Sequence, residues 1–298
     1  MEEALKYLKP EVVAQLANIE LRARLVVEGF ITGLHKSPYH CFSVEFVEHR
    51  PYMPGDEIKH IDWKAFGRTY RYFIKQFEEE TNLKSHIFID ASRSMEFASD
   101  GRIQKIEYAS YVAAALSYLM IEQRDAVGLT IYDEAIRTSL PARATRIYLK
   151  EILRELDSLK AANETGTAAA LHKVAESIKR RGLVIVLSDL LDNPSEVMTA
   201  FKHFRHKGNE MIVMQVLDPL ERSFAFGTDA VFKDLETGEK MTTQPWHIQK
   251  AYREAMKEYL DMYKRECRDN GIDYVLLDTA TPFDKALLEY LTKRRKLH

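Results

Sequence analysis

Cysteine is scarce: Cys41 and Cys267, far apart in the chain, are the two among 298 residues. A disulfide framework needs more of them and a zinc site needs closer spacing, so both are expected to be free thiols in a reducing compartment. Glycine (12) and proline (9) are also few, which excludes collagen-like, linker-like and low-complexity chains. Charge of one sign is missing too. Lys and Arg number 43 against 45 Asp and Glu, a net of −2, so no global field draws the chain to nucleic acid or anionic lipid. Long hydrophobic runs are absent. The best candidates, 108–121 and 183–191, fall short of the roughly 20 apolar residues of a membrane span, and residues 1–10 lack the apolar segment of a secretory signal. The expectation is a cytoplasmic protein with no membrane span.

What is present is a hydrophobic fraction of 46% and a charged fraction of 30%, enough for one large α/β domain and a smaller module. Apolar residues at helical spacing (Val13, Leu16, Ala17, Leu21, Leu25) ahead of Gly29 and Gly33 predict a helix over 10–30. Short aromatic and alternating pieces between 35 and 81, around a Pro54-Gly55-Asp56 turn, predict a small β-rich module. Beyond Ser85 apolar runs alternate with amphipathic segments. Strands are predicted at 86–90, 127–132, 183–189, 211–217 and 274–277, and helices at 103–122, 146–159, 168–181, 195–206, 247–270 and 283–295. Strands written as continuous Val/Ile/Leu runs with helices between them imply an α/β fold, a doubly wound and mostly parallel sheet covered on both faces. Residues 230–241, with Gly238 at the turn, read as a hairpin inserted in that rhythm. The predicted organisation is therefore an N-terminal helix and β-rich module over 1–82, then an α/β domain over 83–298 with a hairpin insertion near 230–243.

The sharpest local signal is Asp90-Ala91-Ser92-Arg93-Ser94-Met95, placed where the strand 86–90 ends. Ligands of open α/β sheets gather at the carboxyl ends of strands. A turn leaving such a strand can aim alternate side chains, Asp90, Ser92 and Ser94, into one pocket. One carboxylate, two hydroxyls and water make a partial octahedral oxygen shell of the kind Mg²⁺ takes. The competing reading is that Asp90 and Ser92 only cap the turn, as Asp and Ser often do. Two more strand ends hold oxygen donors: Thr165-Gly166-Thr167 ahead of a helix, and Ser188-Asp189 closing the strand at 183–187. Alone, Thr167 reads as a helix N-cap and Asp189 as a turn residue.

Taken in chain order, Asp90-x-Ser92-x-Ser94, Thr165 and Asp189 resemble the metal-ion-dependent adhesion site of von Willebrand A domains, a Rossmann-like fold. The resemblance implies one Mg²⁺ or Mn²⁺, with Ser92, Ser94 and Thr165 as hydroxyl ligands and Asp90 and Asp189 as the charged members. Thr165 falls at the family's position, with Thr167 as the alternative. A narrower resemblance covers most of the chain. His35-x-Ser37, Glu45-Phe46, Arg50-x-Tyr52-x-Pro54-Gly55-Asp56, Ile61-Asp62-Trp63, Arg68 and Phe77-x-x-Glu80, with Asp234 to Glu239, Gly271 to Tyr274 and Pro282-Phe283 later on, are similar to the bacterial "domain of unknown function 58" family. The chain departs from it at Phe42 and Val44, where relatives carry glycines, and at Gly67-Arg68, where they carry Ala-Arg. Many relatives also have membrane helices ahead of this region. The resemblance implies a partner of MoxR-type AAA+ ATPases acting in protein maturation or complex assembly, a binding module and not an enzyme. A cation held by few charged ligands keeps an exchangeable position for a carboxylate from the ATPase or from a client protein.

Two rival functions have residues behind them. A Mg²⁺-dependent phosphoester hydrolase also uses acidic strand ends, but needs a nucleophile or base and an anchoring Lys. No Asp-x-Asp lies beside Asp90, and His35, His40, His49, His60 and His86 are scattered. A single-stranded nucleic-acid binder is suggested by Lys59, His60, Lys64, Arg68, Arg71 and Lys75 interleaved with Trp63, Tyr70, Tyr72 and Phe73. Glu78-Glu79-Glu80 follows at once, and the core of a β-module accounts equally well for the aromatics. Arg50, Tyr52, Asp56, Asp62, Trp63 and Arg68 are read as structural members of that module, with Trp63 as its anchor.

Overall fold

The structure, a computed structural model, describes residues 42–51, 63–81, 84–162, 166–177, 181–226, 230–233, 240–243, 245–287 and 289. The helix predicted at 10–30, the turn at Pro54-Gly55-Asp56, Gly238, Thr165 and most of the last predicted helix lie outside them; of that helix 283–287 is described and helical. The chain divides into two compact units, Tyr39–Leu83 and the remainder.

The smaller unit pairs β1 (Phe42–Pro51) with β2 (Phe73–Thr81) antiparallel, with a register shift between Phe46 and Glu48. Between them lies a helix that the β-rich reading did not include, α1 (Trp63–Thr69). Trp63 is 58% exposed and Tyr70 and Tyr72 are exposed as well, so Trp63 is not the buried anchor expected of it. Phe66 gathers these rings instead: Tyr72 stacks on it at 4.6 Å, while Trp63 and Tyr70 meet it edge to face.

In the larger unit six strands form one sheet in the order β10-β7-β6-β3-β4-β5. β3 (Lys84–Asp90), β4 (Ala126–Tyr132), β6 (Leu183–Ser188), β7 (Glu210–Leu217) and β10 (Asp273–Asp278) are parallel to one another. β5 (Ile136–Arg143) runs antiparallel to β4. Every residue of β6 is buried, as are the last four of β3. Such strands need apolar residues on both faces, which is why Ile87 to Ile89 and Leu183 to Leu187 read as unbroken runs. β5 was not predicted. It alternates half-buried with exposed positions and carries Pro141, and a strand can hold proline at the sheet edge, where one face of the ladder needs no donor.

Helices α2 (Lys105–Glu122), α3 (Arg146–Asp157), α4 (Thr167–Ser177), α5 (Pro194–His206), α6 (Pro219–Ser223) and α7 (Pro245–Asp269) flank the sheet. Their starts follow local chemistry. Thr145 caps α3 by accepting from the Tyr148 N–H. Asn193 caps α5 ahead of Pro194, and Asp218 with Glu221 forms a capping box on α6. α2 is buried nearly all round, including Ala113 to Ala115, and packs against β3, β4, β6, β7 and α3. The segment at 230–243 forms the two-stranded ribbon of β8 (Ala230–Lys233) and β9 (Lys240–Thr243). No helix among the described residues is long and apolar enough to cross a membrane.

Chain order places β3 beside both β4 and β6. Successive strands leave β3 in opposite directions, and the crevice beyond the carboxyl ends of β3 and β6 is the topological switch point where such sheets take ligands.

Candidate metal centre

Asp90 is the last residue of β3, and its carboxylate is fully buried. Its Oδ1 accepts the Ser92 N–H at 2.9 Å, which is the turn-capping duty foreseen for it. Its Oδ2 accepts the Ser188 hydroxyl at 2.6 Å and the Thr167 hydroxyl at 3.4 Å. Hydroxyls from the end of β6 and the start of α4 therefore converge on the carboxylate that ends β3. Burial, then the charge of Asp189, push the Asp90 carboxyl up to about 6, against the opposing pull of hydrogen bonds from Ser188 and Ser92. Directly after it, Ser92 Oγ and Ser94 Oγ lie 3.1 Å apart.

Thr167 does not cap α4. The Gly166 carbonyl accepts from the Ala170 N–H at 3.0 Å, so Gly166 stands at the cap position and Thr167 opens the helix with its hydroxyl turned to Asp90. The glycine is required there. A Cβ on Gly166 would sit 2.7 Å from Glu134 Cα and 3.2 Å from the carbonyl oxygen of Asp133. The approach is clamped by the Gly166 N–H donating to Asp133 O, and by Arg137, which pairs with Asp133 and donates to the carbonyls of Lys160 and Ala162. Ala162 N–H in turn donates to Ala91 O within the motif.

Asp189 has a different environment. Its Oδ1 accepts the Leu191 N–H at 3.1 Å, and its Oδ2 is 2.8 Å from Lys105 Nζ. Lys105 and Asp189 are both 0% exposed, and the ammonium also reaches Glu221 Oε1 at 2.5 Å. Burial alone would lower the Lys105 pKa, but the two carboxylates outweigh it and hold it above the ordinary lysine value. Leu190, the next residue, adopts φ +58°, a left-handed conformation costly for a branched side chain. Its neighbours fix it there. The Ser188 hydroxyl accepts its N–H, and the Tyr259 and Tyr263 hydroxyls of α7 donate to its carbonyl. Gln215 Nε2 donates to Asp189 O at 2.7 Å, and the Tyr274 hydroxyl donates to Gln215 Oε1.

Of the predicted set, Asp90, Ser92 and Ser94 share one turn, with the Asp189 charge beside Asp90; Thr165 lies outside the described residues. Sequence reasoning missed Lys105, Glu221 and the role of Ser188. A signal for Lys105 existed, since a lysine in the first turn of a helix faces the positive end of the helix dipole and so calls for a carboxylate partner. Tyr132, paired with Asp90 across β3 and β4, is buried beside the Thr167 and Ser188 hydroxyls. Among the described residues its own hydroxyl has no hydrogen-bond partner of ordinary geometry, and burial with the Asp90 charge raises its pKa well above the usual value.

Neighbouring ligands around Mg²⁺ with bonds of about 2.1 Å are separated by about 3.0 Å, and the Ser92 and Ser94 oxygens stand 3.1 Å apart. The described residues hold no cluster of three or more His, Cys, Asp or Glu side chains suited to a metal. Among the described residues, the donors other than Asp90 that surround this point are hydroxyls.

The chain belongs to the DUF58 family, proteins of unknown function, whose profile matches residues 48–262. It is 27% identical over 232 residues, 77% of this chain and 72% of the relative, to the uncharacterised protein Rv1480 of Mycobacterium tuberculosis. The same figures hold for the uncharacterised protein Mb1516 of Mycobacterium bovis. Among solved structures it is similar to the conserved hypothetical protein BatB from Bacteroides thetaiotaomicron, with a TM-score of 0.49 and 23% identity over 72% of this chain and 99% of that one. It is also similar to an aerotolerance-related membrane protein from Bacteroides fragilis, with a TM-score of 0.48 and 22% identity over 71% and 99%.

Proposed function

We propose that the larger unit is a von Willebrand A-like, metal-dependent protein-interaction module and not an enzyme. Ser92 and Ser94, with Asp90 and a threonine of the 165–167 segment, hold one Mg²⁺ or Mn²⁺, and Asp189 supplies charge from the side. The observation that supports this best is the convergence at the switch point of the Ser188 hydroxyl ending β6 and the Thr167 hydroxyl opening α4 on Asp90, with the hydrogen-bonded Ser92 and Ser94 hydroxyls directly after it at a spacing an octahedral edge also has. A divalent ion there, facing one close carboxylate, keeps positive charge and attracts an outside oxygen donor, a carboxylate from a protein partner. The partner in this reading is a MoxR-type AAA+ ATPase, or a client protein delivered to it in maturation or assembly. The cytoplasmic setting belongs to the same proposal, supported by the low cysteine count and by Cys267 being free and buried.

One feature favours the hydrolase reading: Lys105 stands next to the acidic residues, as an anchoring lysine of a phosphotransfer site does. Its geometry turns it away from that role. The ammonium is buried and committed to Asp189 and Glu221, so it is not placed to meet a phosphate.

Millimolar Mg²⁺ or Mn²⁺ is expected to raise the melting temperature, since an ion bound only by the folded chain stabilises it. The S92A/S94A protein is expected to lose that response while melting within a few degrees of the parent without metal. A flat melting curve for the parent with either ion rejects the metal-dependent reading. If metal binds but an EDTA-sensitive pull-down of the ATPase fails, the partner is wrong and the centre stands.

A further inference from the structure

Ten histidines are dispersed along the sequence, and folding brings two of them together away from the Asp90 centre. His172 on α4 and His203 on α5, 31 residues apart, face each other across the packed helices with both rings half-buried. Their Nδ1 atoms are 3.4 Å apart and the ring centroids 5.7 Å, with the planes inclined at 39°.

That distance is long for an N–H donor on a nitrogen acceptor, where 2.7–3.2 Å is usual for good hydrogen bonds to oxygen. It does match another requirement. Two imidazole nitrogens bonded at about 2.05 Å to one tetrahedral Zn²⁺ stand about 3.3–3.4 Å apart, the edge of the tetrahedron. Two adjacent ligands of a square-planar Cu²⁺ stand closer, at about 2.8 Å. We propose that His172 and His203 form a second cation site, selective for Zn²⁺ or a similar tetrahedral transition-metal ion, which clips α4 to α5.

Both rings are ligands through Nδ1. In the metal-free pair one ring carries its proton on Nδ1. For the ion to enter, that ring becomes the Nε2–H tautomer, a shift that leaves both rings neutral and releases no net proton. Two lysines close to His203 in sequence are committed elsewhere, Lys207 to the Ala175 carbonyl at 2.7 Å and Lys202 to Glu266 at 3.4 Å. Water fills the remaining two positions. Nitrogen donors reject Mg²⁺, whereas the hydroxyl-rich Asp90 centre suits it, so the two sites differ in the ion they take. They share α4: His172 lies five residues beyond Thr167, about 7.5 Å along the helix. An ion between the histidines fixes the helix that brings Thr167 to Asp90.

The test is a melting-temperature titration of the full chain, stripped of metal, with ZnCl₂ from about 1 to 100 µM, and separately with MgCl₂. The parent and S92A/S94A are expected to show the same Zn²⁺-dependent rise. H172N and H203N are each expected to weaken the apparent Zn²⁺ affinity at least tenfold while responding to Mg²⁺ as the parent does. The proposal is overturned if the parent shows no rise with Zn²⁺, which leaves a weak N–H···N contact only. It is equally overturned if the rise survives in both histidine variants, or disappears in S92A/S94A, which places the ion elsewhere.

Discussion

Asp90 ends β3 and Asp189 directly follows the neighbouring β6, and both are fully buried. Asp90 is met by neutral dipoles, a backbone N–H and two hydroxyls, and among the described residues no cation pairs with its charge. Asp189 has a resident cation, the Lys105 ammonium, shared with Glu221. Burying an ion without a counter-ion is costly, so a protein either pairs the group, neutralises it or recruits a metal. The chain pairs one of its two strand-end carboxylates permanently and leaves the other waiting. Under the proposed reading, this asymmetry makes the Asp90 side, with Ser92 and Ser94, the place for an external ion, and the Asp189 side scaffold.

Removing the resident cation is the strongest way to break that contrast. Lys105→Met leaves Asp189 buried, and Glu221 half-buried, without a counter-ion and is expected to cost about 3–5 kcal/mol, the range for a buried pair that loses one partner. Urea unfolding of the metal-free protein measures it. A loss under about 1 kcal/mol means that Asp189 does not depend on Lys105, and the two carboxylates are then alike.

The opposite sign is expected on the other side. Asp90→Asn removes a charge that burial disfavours, and is expected to stabilise the metal-free protein by about 2–3 kcal/mol at pH 7.5, following the rise of the carboxyl to about 6. A carboxyl raised in the folded state holds its proton more tightly there than in the unfolded chain. The stability it contributes is complete below the unfolded value near 3.9 and is lost as pH rises through about 6. The gain from Asp90→Asn should therefore vanish below about pH 4 and level off above pH 7, and the same change should abolish the response to Mg²⁺. A variant less stable than the parent at pH 7.5 means that the Asp90 charge is already compensated without a metal.

Much of this arrangement was legible in the sequence, for reasons particular residues make plain. β3, β6 and β7 are buried on both faces and so are written as apolar runs, and the motif beginning at Asp90 announces itself by following one of them. β5 did not show, because an edge strand needs only a weak alternation and tolerates Pro141. α1 did not show among aromatic residues that suit strands equally well, and α6 is five residues long. At the site, Asp90, Ser92 and Ser94 are local in sequence and readable together. Lys105 meets its partners 84 and 116 residues away, and no spacing records such a pairing; only its place against the helix dipole hinted at one.

The finest distinction concerns which hydroxyls belong to Asp90. Thr167 reaches it only because Gly166 lets the chain pass within contact of Glu134 and Asp133. Gly166→Ala sets a methyl group 2.7 Å from Glu134 Cα, closer than backbone atoms tolerate, so the start of α4 must back away. The expected cost is about 1–2 kcal/mol in the metal-free protein, as for other overpacked sites. The displacement should also withdraw Thr167 and weaken the apparent Mg²⁺ affinity several-fold in a melting titration. Lys105, anchored on α2, should keep its contact with Asp189, so the variant separates the two carboxylates functionally. If stability falls while Mg²⁺ affinity stays at the parent's value, Thr167 is a packing residue and the hydroxyl shell of the ion ends at Ser92 and Ser94.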